Sequence, residues 1–255
     1  MKKYILLLVC CFFFSCDDED LPPIPVDILS DYIEQNSSFP LVRDSLIACA
    51  AGGQEGFMFN EERPISIFYY PEGNAAEFLY FETESIDLDP DDLSNYRLRT
   101  LPDSPIFNGF LRHFSRQATD QNIWCRVTFI KDDQLFISNA IRLRYNDSPS
   151  EFNPTLLELN QDDKLSPIFS WEDGLVAENA IYFHVVSDAE NNLLSGTYTF
   201  EKQFQFYNLE NVVLNIRNVT PAPELIPDAD YNFLSMGVSR ENWVNLIIEE
   251  SFDTR

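Results

Sequence analysis

Basic residues are scarce in this chain. Its 255 residues hold 17 lysines and arginines against 42 aspartates and glutamates, a net charge of −25. So acidic a surface repels phosphate backbones and anionic headgroups, which excludes DNA and RNA as partners; its plainest use is solubility. Histidines number only two, His113 and His184. Neither has a second histidine at ligand spacing and no Cys-x-x-Cys occurs, so no zinc centre is expected. There is also no Gly-x-Ser-x-Gly, no Gly-rich phosphate loop and no His-Glu-x-x-His. No catalytic residue, metal ligand or cofactor is therefore assigned. Residues 87–92, Asp-Leu-Asp-Pro-Asp-Asp, alternate carboxylates as a calcium loop does. They lack the glycine after the third acid, and Leu98 stands where a bidentate Glu belongs, so the segment reads as a solvated loop. With 42 acids in the chain, a glycosidase's carboxylate pair can be drawn anywhere and decides nothing.

Glycine is equally sparse, at 8, whereas Phe reaches 22 and aromatic residues 14%. Phe and Tyr favour strands, and 15 prolines sit mostly in connectors, a balance that suits an all-β protein. Long apolar runs are absent too, save one. Residues 4–14 are unbroken apolar, follow Lys2 and Lys3, and end at Ser15-Cys16. Eleven residues are too few to span a bilayer, which needs about 20. A charged start, a short apolar core and a small residue before the cut make residues 1–15 a secretory signal.

The run Phe13-Phe14-Ser15-Cys16 resembles the bacterial lipoprotein lipobox. That resemblance implies cleavage before Cys16 and lipidation of its thiol, the protein's only link to the membrane. Phe14 departs from the small residue usual in its place. Two or more acyl chains give firm anchoring, at roughly 0.8 kcal/mol per buried methylene. Asp17, Asp18, Glu19 and Asp20 follow at once. They read as a hydrated tether, and they also resemble the acidic export signal of bacteroidete-type surface lipoproteins, which implies an outer-membrane anchor facing the cell exterior. In enterobacteria-like systems an Asp after the Cys implies inner-membrane retention instead, and the sequence leaves the sorting rule open. Cleavage removes Lys2 and Lys3, so the mature chain carries 15 basic against 42 acidic residues, or −27.

Past a lipidated tether at 16–40, with its Leu-Pro-Pro-Ile-Pro spacer, residues 27–35 read as a short amphipathic helix or a distorted first strand. Strands are predicted over 45–51, 65–70, 77–82, 96–101, 110–114, 123–130 and 135–145, with a hairpin across Pro71-Glu72-Gly73-Asn74. Along 123–130, Ile123, Cys125, Val127 and Phe129 alternate inward against Trp124, Arg126 and Thr128. A polar, two-proline stretch at 146–154 marks the boundary between a first β-sandwich at 41–146 and a second at 147–255. The second has strands at 156–159, 166–171, 181–186, 194–206, 212–216, 231–238 and 243–249. In 231–238 the inward set is Tyr231, Phe233 and Ser235 or the alternate Asn232, Leu234 and Met236, with the aromatic face favoured.

The segment Trp124-Cys125-Arg126-Val127-Thr128-Phe129, a turn, and Ser138-Asn139-Ala140-Ile141-Arg142-Leu143 resembles the last strand pair of fibronectin type III and immunoglobulin-like domains. Ser166-Pro167-Ile168-Phe169-Ser170-Trp171 resembles the second strand of such a module, with its core Trp. The resemblance implies two tandem immunoglobulin-like sandwiches. It puts Cys49 on the second strand and Cys125 on the penultimate one, facing across the core as a candidate disulfide; two separate buried thiols are the alternative. Trp124 and either Tyr69 or Tyr70 are candidate exposed aromatics.

Three functions compete. The first is a non-catalytic accessory, scaffold or binding subunit of a cell-envelope complex, with an outer-membrane protein partner. The second is a surface glycan-binding lipoprotein of a nutrient-uptake system, which needs a row of exposed aromatics. The third is a glycosidase, which needs a cleft with a raised carboxyl pKa.

Overall fold

A computed structural model of the chain describes residues 27–53, 59, 61–71, 73–217 and 221–255. The signal segment, Cys16, the acidic residues Asp17, Asp18, Glu19 and Asp20 and the spacer after them lie outside the described residues.

The first unit comprises α1 (Leu29–Gln35) and ten strands: β1 (Leu41–Leu46), β2 (Ala48–Gly52), β3 (Ile65–Tyr69), β4 (Ala76–Glu82), β5 (Arg97–Arg99), β6 (Asp103–Ile106), β7 (Leu111–Arg116), β8 (Ile123–Lys131), β9 (Gln134–Ser138) and β10 (Ile141–Leu143). They form two sheets. One runs β1-β9-β8-β4-β5, with β10 also on β8; the other runs β2-β3-β7-β6. The second reads A-B-E-D and the first G-F-C, the strand order of an immunoglobulin-like sandwich. Pro105 sits in β6 at the edge of its sheet, where a missing N–H is tolerated.

The second unit has β11 (Glu151–Phe152), β12 (Leu157–Asn160), β13 (Ile168–Trp171), β14 (Ile181–Asp188), β15 (Leu193–Thr199), β16 (Gln203–Gln205), β17 (Val212–Asn215), β18 (Asp230–Val238) and β19 (Val244–Asp253). A six-stranded sheet, β11-β19-β18-β14-β15-β17, faces a three-stranded sheet, β12-β13-β16. The chain is all-β, built as two tandem sandwiches. The single strand expected over 194–206 is two: β15 and β16 belong to opposite sheets of the sandwich. Residues 27–35 resolve as the helix rather than a strand.

Four sheets stack with four apolar layers on them, and strand alternation assigns the side chains. On the outer face of the first sheet, Leu29 and Tyr32 of α1 lie on Phe81, Tyr96, Leu135 and Ile137. Between the first unit's sheets lie Ile65, Ile67, Tyr69, Tyr80, Phe114 and the inward row of β8, Ile123, Cys125, Val127 and Phe129, as its alternation predicts. In the second sandwich, Phe169, Trp171, Tyr182, Phe204, Phe233 and Phe252 fill the core. Phe169 and Phe233 stack at 4.0 Å.

The remaining layer lies between the units. Ala51 and Phe68 from the first sandwich's inner sheet, with Phe107 and Leu111, meet Phe183, Val185, Leu234, Met236, Val238 and Ile247 from the six-stranded sheet. Apart from Ala51, each such side chain, when fully buried, contributes roughly 1.5–3 kcal/mol, so the two sandwiches are held as one body. In β18 the aromatic face, Tyr231 and Phe233, does enter its own sandwich core, while Leu234 and Met236 enter the shared layer.

The same alternation corrects the candidate disulfide. Both Cys49 and Cys125 are free thiols. Ala48 and Ala50 pack against the first sandwich core, so Cys49 between them points the other way, into the shared layer, while Cys125 points into the first core. Cys49 also lies on β2, paired with Phe68 of β3, one strand earlier than the resemblance implies. Burial pushes both thiols up to about 12.

Candidate functional site at the junction of the sandwiches

The junction is built by the turn between β18 and β19. Trp243, at its end, leaves the second unit and enters the core of the first, where it is fully buried. Its indole N–H donates to the Ser148 carbonyl at 2.9 Å, the Ala50 N–H donates to the Asn242 carbonyl at 2.9 Å, and the Asn242 amide donates to the Ala140 carbonyl at 3.0 Å. The inter-unit linker is pinned in the same place. Ser150 and Gly52 exchange hydrogen bonds, and the Ser150 hydroxyl also donates to the Val244 carbonyl at 2.7 Å. Gly52 is required here: a Cβ on it would lie 2.7 Å from the Tyr145 ring and 2.9 Å from Trp243. On the far side of the seam, the Tyr70 hydroxyl donates to the Ile216 carbonyl at 2.8 Å. The seam leaves an apolar cavity of about 230 Å³ bordered by Ile47, Cys49, Tyr70, Phe183 and Tyr198.

Beside Trp243 the surface turns polar and, against the chain's overall charge, basic. A cleft of about 900 Å³ is lined by Arg142, Arg144, Arg240, Glu178 and Glu241, with Asn179 and Ser239. A neighbouring cleft of about 370 Å³ adds Arg43, Arg126 and Asp91 and shares Arg240. Together they hold five arginines against three carboxylates, in a chain with only 17 basic residues. Two of the five are structural. Arg126 donates to the Ser138 and Pro90 carbonyls at 2.6 and 2.8 Å, and Arg142 pairs with Glu241 at 3.1 Å. The Arg144 carbonyl accepts from the Asp147 and Ser148 N–H groups, but the side chains of Arg144 and Arg240 have no hydrogen-bond or ionic partner among the described residues. No sequence signal marked this cleft. Arg142 lies on β10 and Arg144 just past its end, and Arg240 arrives on a turn about a hundred residues later.

The residues singled out from the sequence lie elsewhere. Tyr69 is buried in the first core, its hydroxyl donating to Asp103 at 2.8 Å. Tyr70 faces the inter-unit seam. Trp124 is half-buried over the outer sheet, its indole N–H on the Ile86 carbonyl at 3.0 Å. None of the three is an exposed contact, because the faces turned away from the first core are themselves covered, by the second unit and by α1 with its loop. The large apolar side chains that are exposed among the described residues include one aromatic, Phe200. They form no aromatic row with Trp124, Tyr69 and Tyr70.

Both histidines are packing residues. His113 stacks on Phe68 and its Nδ1 lies 3.2 Å from the Ser66 hydroxyl. His184 lies in the second core between Phe204 and Trp171. The acidic loop at 87–92 is a folded cover: Asp89 and Asp92 accept from the backbone N–H groups of Asp91 and Ser94, and Tyr96 donates to the Pro90 carbonyl. Its carboxylates cap turns, and no metal-ligand cluster forms among the described residues. The carboxyls that their surroundings displace, Glu82, Asp92, Asp173 and Asp253, all move down. For Glu82, burial pushes upward, but hydrogen bonds and charge from Arg116, with Tyr80 and Arg99, outweigh it.

No protein-family model matches the chain, and no curated protein does. Among solved structures it is similar to the FN1–FN3 domains of chicken CNTN1, at 12% identity and a TM-score of 0.29, covering 85% of this chain and 69% of that one. It is likewise similar to a two-domain fibronectin type III segment of chicken tenascin, at 12% identity and a TM-score of 0.26, covering 74% of this chain and 91% of that one.

Proposed function

We propose that the chain is a non-catalytic binding or scaffold module held at the outer membrane by lipid on Cys16, presenting its two sandwiches to a cell-envelope protein partner from the exterior face. The observation that carries the reading is the seating of Trp243 of the second sandwich in the core of the first, beside a continuous shared apolar layer. Tandem domains joined by a small polar interface move relative to one another; a large apolar one holds them rigid. A rigid body can present surfaces of both sandwiches to a partner in one fixed relation, while a hydrated, acidic tether gives it reach from the membrane. The anchor rests on the lipobox resemblance at Phe13-Phe14-Ser15-Cys16 and the orientation on the acidic run after it.

Protease shaving of intact cells, followed by affinity purification in mild detergent, tests both parts. Loss of the protein from intact cells and a stoichiometric outer-membrane partner support the reading. Protection from protease overturns the outward orientation. A Cys16→Ala variant that stays in the membrane fraction overturns the lipid anchor.

A further inference from the structure

We propose that the arginine cleft at the junction is a binding site for a hydroxylated monocarboxylate, of the sugar-acid class. The cleft gathers three arginines in a chain of net charge −25, which favours an anion there over the acidic remainder of the surface. The side chains of Arg144 and Arg240 line it without a hydrogen bond or ion pair to another described residue, so both guanidinium groups can turn to an anion there. A guanidinium offers parallel N–H groups that match the two oxygens of a carboxylate.

The other lining residues restrict the ligand further. Glu178 is exposed and unpaired, and Glu241 sits on Arg142, so three arginines face two carboxylates. Within this cleft alone that is an excess of one positive charge, which suits a monoanion over a phosphate dianion or a polyanion. Glu178 accepts from ligand hydroxyls. The volume of about 900 Å³ exceeds what a bare carboxylate fills, and a sugar ring offers hydroxyls to Glu178, Asn179 and Ser239 and C–H faces to the rest of the wall. Both walls come from different sandwiches, β10 with Arg144 on one side and the β18–β19 turn on the other. The interlock at Trp243 therefore fixes the spacing of the arginines.

The test is calorimetric titration of the full chain in mild detergent with sodium glucuronate, with glucose as its neutral counterpart and inorganic phosphate as the dianion. Saturable binding of glucuronate is expected, weaker at higher salt, with none for glucose and less for phosphate. Arg144→Gln and Arg240→Gln are each expected to lower the affinity about tenfold, the loss of one charge-assisted hydrogen bond. Circular dichroism verifies that both variants fold. Absence of saturable glucuronate binding, equal binding of glucose, tighter binding of phosphate, or folded variants that bind as tightly as the native chain would each overturn the assignment. The inference needs neither membrane nor partner: a failed titration leaves the scaffold reading standing, and a failed purification leaves the cleft.

Discussion

Replacing Trp243 with alanine should do more damage than any other single substitution at the junction. The side chain is fully buried, lies in the core of the first sandwich, and is carried by the second. Removing a buried tryptophan costs about 3–5 kcal/mol through lost transfer energy and the cavity left behind. The Ser148 carbonyl, which accepts from the indole at 2.9 Å, also loses its partner, at about 1 kcal/mol more. Domains of ordinary stability have roughly 5–15 kcal/mol in total, so Trp243→Ala should remove a third or more of it. Trp243→Phe keeps most of the fill and gives up the hydrogen bond, for about 1–2 kcal/mol.

Urea unfolding followed by circular dichroism measures both variants, and the shape of the curve matters as much as its midpoint. Because the shared layer and the Trp243 anchor couple the sandwiches, the native chain should unfold in a single transition. The Trp243→Ala chain should unfold earlier and in two steps, as each sandwich loses its hold on the other. A loss under about 1 kcal/mol with one unchanged transition would refute the argument that Trp243 locks the units together.

His184 should make the protein acid-sensitive. Burial pushes its pKa down to about 3 from the ordinary 6.5, and neither ring nitrogen has a hydrogen-bond partner. The unfolded chain takes up a proton near pH 6.5 that the folded core refuses until about 3, so this part of the stability is complete above 6.5 and drains by about 1.4 kcal/mol per unit below it. His184→Leu should abolish that slope between pH 6.5 and 4.5, and parallel urea-stability profiles for the two proteins would contradict it. Glu82 accepts from Arg116, itself nearly buried, at 2.8 Å; Glu82→Gln should therefore cost about 3–5 kcal/mol in thermal or urea unfolding by stranding that charge. Cys49 and Cys125 should both titrate as free thiols once denaturant is added and react slowly with a thiol reagent at pH 8 before it; a mass two protons short would establish the disulfide that the structure lacks.

The pattern of what the sequence disclosed follows from which surfaces are covered. In β8 one face meets the core of its own sandwich and the other carries Arg126 and Thr128, so period-2 alternation named the inward row of Ile123, Cys125, Val127 and Phe129 without ambiguity. In β18 alternation offered two apolar rows, and both are buried: Tyr231 and Phe233 in the sandwich, Leu234 and Met236 in the shared layer. Two competing inward faces on one strand are the mark of a sheet covered on both sides. The same logic explains Cys49 and Tyr70. Each points away from the first core, and to a reading that knows only one sandwich at a time, away from the core means toward solvent or toward the wrong partner. Trp243 went unnoticed for the opposite reason. It stands at the head of a strand whose pattern suits the second sandwich, and nothing local reveals that its side chain belongs to the first. The arginine cleft inherits this: it exists only because the interlock brings the end of β10 against the β18–β19 turn, a juxtaposition fixed by tertiary packing across about a hundred residues of chain.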